Sequence, residues 1–334
     1  MQRREFITLF GGAAAAWPVS ARAQQPAEMK RIAMVDPSLK IGDMTVGGAV
    51  AYRAFFKEMS HLGYVEGRNL VVERYSGEGR IEHYPELIRN IVSTHPDLIL
   101  AANAKLALLL KMATTTIPIV AITADPIAMG LVPSIARPGG NITGVSVDGG
   151  LEIWEKRLGL LIEAVPKLSN VGYLGTQRIW EGPIGSAVRE AASQAGISLM
   201  GELLGSSVNE QAYERVFNSI KRDGVESLMI SDEGEHIAFI PTIVELAART
   251  RIPTIYPWRF FVDAGGLISY SINFGETAPR MAGMVDQILR GTKPADIPFY
   301  QETKFELAMN LKTAKALGLE LPATLVGRAD VVIE

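Results

Sequence analysis

An apolar run, a helix-length stretch, an Ile-Pro pair and a second apolar run follow one another twice in this chain. In the first half the letters are DLILAANA and then ATTTIPIVAITADP, within residues 97–126. In the second half they are ESLMISDE and then ARTRIPTIYPWR, within residues 226–259. Apolar runs of four or five residues bounded by turn residues read as strands buried on both faces. Strands that alternate with helices imply parallel pairing, because parallel neighbours need a crossover. Two copies of one order predict two lobes built on one plan, and 334 residues suffice for both.

In the first half, strands are expected at 31–35, 70–75, 97–101, 119–122 and 142–146. Helices are expected at 46–62, at 82–93 and after Asn103. A further helix is expected at 127–136, started by Asp125-Pro126 and stopped by Arg137-Pro138-Gly139-Gly140. The second half offers strands at 171–174, 198–204, 226–230, 254–256 and 267–270. Its helices fall at 183–195 and 209–222, with another running into Arg251. A helix at 276–289, an extended segment at 293–301, a strand at 305–310 and a short helix at 311–317 follow. This last part has no counterpart in the first half. It predicts a chain that recrosses to build a multi-stranded hinge, near 144–150, 271–275 and 293–304. The expected fold is therefore α/β, with two Rossmann-like lobes carrying parallel sheets. One lobe comprises 29–145 with 272–300, the other 146–271 with 301–334.

The first residues read as a cleaved leader. Arg3-Arg4 precedes an apolar stretch over 9–17 that is too short to span a bilayer, and Ala21-Arg22-Ala23 forms an A-x-A cleavage site. Export to a periplasm with a twin-arginine-like signal over residues 1–23 is expected. There is no cysteine, hence no disulfide and no lipidated anchor. A net charge of −3 gives no nucleic-acid footprint.

Enzyme signatures are missing. The chain has no G-x-S-x-G elbow, no phosphate-binding G-x-x-x-x-G-K-S/T and no H-E-x-x-H helix. Its four histidines lack metal-ligand spacing, so no catalytic residue, metal or cofactor is expected. His236, which follows Ser231-Asp232-Glu233-Gly234-Glu235, reads as part of an acidic helix start rather than a carboxylate–His site.

In open parallel sheets, ligands bind beyond the carboxyl ends of the strands. Those exits offer Asp36, Ser38, Asn103, Ala104, Thr123 and Asp125 in the first half. In the second they offer Thr176, Trp180, Ser231, Asp232, Tyr256, Trp258 and Arg259, with Tyr270 near a crossover. Backbone N–H groups after Asn103 suit a carboxylate. Asp232 or Asp125 suits an ammonium, and Trp180, Tyr256 or Trp258 could stack on an apolar or aromatic group. Asp125 reads first as a helix cap; Trp258 could instead only pack, and Arg259 could instead hold the hinge by an ion pair. The expected ligand is a small amphipathic carboxylate, an amino acid or aromatic acid.

Several segments together carry a family resemblance: residues 63–70 (GYVEGRNL), 116–120 (TIPIV), Asp125-Pro126 followed by Gly130-Leu131-Val132, and 136–146 (ARPGGNITGVS). Residues 261–267 (FVDAGGL), Phe305-Glu306-Leu307 and 310–315 (NLKTAK) complete the set. With these, essentially the whole mature chain resembles the substrate-binding proteins of ABC transporters, in the family that includes tryptophan and other aromatic amino acid binders. The resemblance implies a type I periplasmic binding protein, a monomeric receptor that closes on a small molecule and hands it transiently to a membrane permease. It departs at Ala102-Asn103, where the family usually carries Gly-Thr, and Lys105 adds charge nearby. The alternative function is a ligand-sensing subunit for a membrane histidine kinase. A transcription regulator of the same fold would need a DNA-binding headpiece where this chain has a leader.

Overall fold

Alternation of apolar side chains about each strand places a helix layer on both faces of each sheet. The computed structural model describes residues 29–147, 150–205 and 208–334. The expected leader and Asp148-Gly149 of the first expected hinge lie outside the described residues.

The first sheet is built from β1 (Lys30–Asp36), α1 (Val50–His61), β2 (Leu70–Ser76), α2 (Tyr84–Ser93), β3 (Leu98–Ala101), α3 (Ala104–Ala113), β4 (Ile119–Thr123) and β5 (Ile142–Ser146). After β5 the chain passes to a second unit. It contains α4 (Glu152–Ala164), β6 (Asn170–Thr176), α5 (Gln177–Glu181), α6 (Pro183–Gln194), β7 (Ser198–Leu204), α7 (Glu210–Arg222), β8 (Ser227–Ile230), α8 (Ile240–Thr250), β9 (Thr254–Tyr256), α9 (Arg259–Asp263) and β10 (Ile268–Ile272). The chain then returns to the first unit for α10 (Phe274–Leu289) and β11 (Tyr300–Gln301). It recrosses for β12 (Phe305–Asn310), α11 (Leu311–Leu317), α12 (Ala323–Val326) and β13 (Val331–Ile333).

Strand order is β11-β5-β4-β3-β1-β2 in one sheet and β13-β12-β10-β9-β8-β6-β7 in the other. The first sheet is parallel throughout, while β12 runs antiparallel to β10 in the second. The architecture is thus two Rossmann-like α/β lobes joined by three crossovers, the type I periplasmic binding protein arrangement.

Side-chain alternation settles which helices lie where. Ile32 and Met34 of β1 join Phe55, Phe56 and Met59 of α1 and Met281 and Val285 of α10 in one core. Ala33 and Val35, one residue out of phase, join Tyr84 and Ile88 of α2 and Leu106 and Leu110 of α3 in the other. In the second lobe Met229 faces a core with Trp154 and Tyr173, while Leu228 and Ile230 face one with Tyr213, Phe217 and Phe261.

One expected element is absent. The helix expected over 127–136 is a single turn. Asp125 Oδ1 accepts from the N–H groups of Ile127 and Ala128, at 2.8 and 3.0 Å, and so starts that turn. Gly130 then takes φ +69°, and Pro133 cannot donate to a further helical bond. The Ile135 carbonyl accepts instead from Phe299 N–H, lying just before β11. Helix α1 likewise begins at Val50, after a turn at Gly47-Gly48. A Cβ on Gly48 would sit 2.1 Å from the Asp43 carbonyl oxygen.

Candidate functional site

Each sheet has one place where the strand order reverses: between β1 and β3 in the first, between β6 and β8 in the second. Chains leaving strands on the two sides of a reversal diverge, and the crevice between them is where α/β sheets bind ligands. The two crevices face each other. Ser38 Oγ, just past β1, donates to the Gly234 carbonyl, past β8, at 2.8 Å. A Cβ on Gly234 would lie 3.3 Å from Pro37 Cγ and 3.8 Å from Asn103 Nδ2. A Cβ on Gly79 would lie 3.2 Å from that of Ala238.

The edge of the first lobe is self-contained. Asp36 is buried. Its Oδ1 accepts from Ser38 N–H at 2.9 Å and Leu39 N–H at 2.8 Å, and its Oδ2 from Tyr52 hydroxyl at 2.8 Å. Burial pushes its carboxyl above the usual range against the pull of these donors. Asn103 Oδ1 caps α3 by accepting from Leu106 N–H at 2.8 Å, and Ala104 opens the helix. Lys105 follows in the first turn, its Nζ 5.9 Å from the centre of the Tyr84 ring. The Tyr84 phenol is raised by burial and by the Glu235 and Asp36 carboxylates, one from each lobe. Thr123 is buried at the end of β4, and its Oγ1 has no hydrogen-bond partner among the described residues.

The edge of the second lobe is organised by residues 231–236. Glu233 accepts from Thr176 N–H at 2.9 Å, Thr176 Oγ1 at 2.6 Å and Ser231 Oγ at 2.9 Å, with Arg178 Nη2 at 3.6 Å. His236 is buried, with Nδ1 2.6 Å from the Tyr213 hydroxyl and Nε2 2.8 Å from Ser231 Oγ. Ser231 has one proton and gives it to Glu233. His236 must therefore donate from Nε2 to Ser231 and accept from Tyr213 at Nδ1, which makes it neutral. Burial lowers its pKa to about 4, with Glu233 acting the other way. His236 does stand in a short helical turn with Glu235, at 234–239, and there it is buried and linked to Tyr213 and Ser231.

The remaining candidates divide. Ser231, Asp232 and Thr176 stand at the crevice of the second lobe, opposite Asp36, Ser38, Asn103 and Ala104. Trp258 follows β9, its ring 5.3 Å from that of Phe274 at a crossover, and its buried Nε1 has no partner among the described residues. Asp125 is exposed and spent on its turn. Trp180 lies over Gly201 beneath the Arg189 guanidinium, and Tyr256 stacks on Phe261 at 4.9 Å inside the core; both rings are committed to packing within the second lobe. Arg259 pairs with Asp263 at 3.3 Å and with Glu306, on β12 beyond the third crossover, at 3.8 Å. Tyr270 stacks on Phe305 at 5.6 Å.

Reading strand exits alone misses Tyr84 and Glu235. Tyr84 opens α2 eight residues beyond β2, and Glu235 lies five residues beyond β8. The alternation of acid and glycine in Asp232-Glu233-Gly234-Glu235 is the available signal. Two surface hollows of about 490 and 450 Å³, beside α7 and on α4, share no residue with either crevice.

Known proteins resemble this chain over most of its length. The family model for ABC transporter substrate binding protein matches residues 49–333. The tyrosine-binding protein of Clostridioides difficile is 24% identical over 273 residues, covering 81% of this chain and 77% of that protein. A conserved domain protein from Vibrio cholerae matches with a TM-score of 0.80 at 20% identity, covering 91% of this chain and 100% of the other. An ABC domain from Streptococcus pneumonia in complex with L-Trp matches with a TM-score of 0.79 at 20% identity, covering 92% of this chain and 100% of that one.

Proposed function

The chain belongs to the family of ABC transporter substrate-binding proteins, and from that premise we propose an exported receptor that captures an aromatic amino acid or a related aromatic acid between its lobes. The observation that carries this reading is the facing of the two strand-order reversals, joined at Ser38 and Gly234. A ligand seated there touches both lobes, so it binds the closed arrangement more tightly than the open one and shifts the population toward it. The names of the relatives, one binding tyrosine and one in complex with L-Trp, support the ligand class. The buried Thr123 Oγ1 and Trp258 Nε1, without partners among the described residues, support a polar contact from each lobe. The first turn of α3 is suited to the ligand carboxylate.

In this reading the protein is a periplasmic monomer whose leader, residues 1–23, is removed, and it delivers its ligand to an importing permease. The moving bodies are 29–145 with 272–300 and 146–271 with 301–334. A thermal-shift screen of L-tyrosine, L-tryptophan, L-phenylalanine, aromatic acids, sugars and phosphates tests the ligand class. Aromatic amino acids or acids are expected to stabilise the protein and to contract its scattering profile. Stabilisation by sugars alone, or saturation without contraction, overturns the reading.

A further inference from the structure

Among the buried carboxylates at the seam, one stands apart. Asp36 and Glu233 each have three hydrogen-bond donors, as described. Glu235 is equally buried at 8% exposure, yet no other side chain of the described residues hydrogen-bonds to it or pairs with it. Its carboxyl is raised chiefly by burial and further by Glu233; its own backbone N–H opposes that, and Lys105 and Arg178 ease it only through space. A buried acid that no other side chain bonds is costly, so this position suits a cation brought by a ligand.

A second buried group faces it from the other lobe. The Tyr84 hydroxyl is fully buried, makes no close hydrogen bond among the described residues beyond the influence of the Asn103 side chain, and lies within the field of Glu235. The ammonium of Lys105 sits over the Tyr84 ring, in the first turn of a ten-residue helix. There the N–H groups of Ala104 and Lys105 have no acceptor within the helix. An acceptor from one lobe and donors from the other therefore border one seam, with unlike charges on its two sides.

We propose that Glu235 and Lys105 read the two charges of a single zwitterion, Glu235 taking the ammonium with the Tyr84 oxygen beside it, and Lys105 with the start of α3 taking the carboxylate. The inference rests on the amino-acid reading and narrows it, selecting α-amino acids over deaminated aromatic acids. A plain amine would meet the Lys105 charge without a carboxylate to offset it. A plain acid would leave Glu235 as it stands.

Calorimetric titration of the purified protein tests this, with three probes sharing one ring: L-tyrosine, 3-(4-hydroxyphenyl)propionate and tyramine. L-Phenylalanine and L-tryptophan sets run in parallel. The wild type is expected to prefer the amino acid to its deaminated acid by roughly 30-fold or more, as for a buried charge pair. Glu235→Gln should erase that preference while changing affinity for the deaminated acid less than about threefold. Lys105→Gln should weaken amino acid and deaminated acid alike, by about tenfold, and spare tyramine. Equal wild-type affinity for amino acid and acid overturns the assignment without any substitution. A Glu235→Gln protein that keeps the preference, or that loses both ligands equally, overturns it as well. In these cases the receptor reading survives, because an aromatic ligand still binds. If no aromatic amino acid or acid binds the wild type, both fall together.

Discussion

The two edges that meet at the seam solve the same problem in opposite ways. On the first lobe, Asp36, Asn103 and Asp125 each turn back and cap their own backbone within three residues. On the second, Glu233 ties strand exits 57 residues apart, and His236 links Ser231 to Tyr213 on another element. Local caps hold a loop in shape but leave it able to move with its strand. The Tyr213–His236–Ser231–Glu233 chain instead fixes residues 231–236 to the body of its lobe. One edge is a set of local turns with one longer tie, from Asp36 to Tyr52 of α1; the other is a braced platform that presents Gly234 and Glu235 to its opposite number.

Cutting the brace should produce the largest effect. His236→Ala removes the middle of the chain, leaving the Tyr213 hydroxyl and Ser231 unpaired beside a void. A loss of about 3–5 kcal/mol in denaturant unfolding is expected. The pH dependence sharpens the point. His236 takes up its proton near pH 6.5 when unfolded but near 4 when folded. Between those values the unfolded chain binds more protons, so stability falls as pH drops from about 6.5 toward 4. The buried carboxyls of Asp36 and Glu235 are raised and act with the opposite sign in acid. The difference between wild type and His236→Ala across that window isolates the histidine. If the difference is flat, the imidazole is not held neutral.

On the opposite edge, Asp36→Ala should cost about 2 kcal/mol, since it unmakes two N–H caps and a phenol bond but leaves other elements in place. An unfolding cost as large as that of His236→Ala would break the contrast between local turns and a brace. Glu235→Gln should go the other way, raising the stability of the unliganded protein by about 1 kcal/mol, because it removes a buried charge that no other side chain of the described residues bonds. Smallest of all, Ser38→Ala should change unfolding by about 0.5 kcal/mol or less, because the bond it removes joins the lobes rather than building either one. Its effect belongs to closure, read as a wider unliganded scattering envelope and weaker ligand binding.

How far the sequence speaks depends on the range over which a residue acts. Strands and caps are local. Phe305–Asn310 and Leu311–Leu317 fall where their apolar runs and Gly318 put them, and Gly318 adopts φ +76° as a helix-ending glycine does. The two-lobe plan was legible because the βα order itself repeats. The helix expected after Asp125 failed because Pro133 and a long-range bond from Phe299 outweighed a good cap. Tyr256 and Trp180 read as ring platforms because aromatic residues at strand exits suit ligands. Gly266 and Gly201, distant in sequence, are the small residues that let those rings pack inward instead. The through-space influence among Glu235, Tyr84 and Lys105 spans both lobes and more than a hundred residues. No local pattern carries it.

The return of the chain for α10 and β11 bears on how the molecule is made. Ala278, Met281, Ala282, Met284, Val285, Ile288 and Ile297 are buried against α1 and β1, so one face of the first sheet stays only partly covered until nearly 300 residues have been synthesised. The ribosome delivers residues at a finite pace, and an uncovered apolar face binds chaperones and neighbours. The half of the protein made first is thus finished late. A nascent chain halted before residue 274 should expose that face and remain protease-sensitive through β1 and α1, whereas release past residue 301 should protect both together.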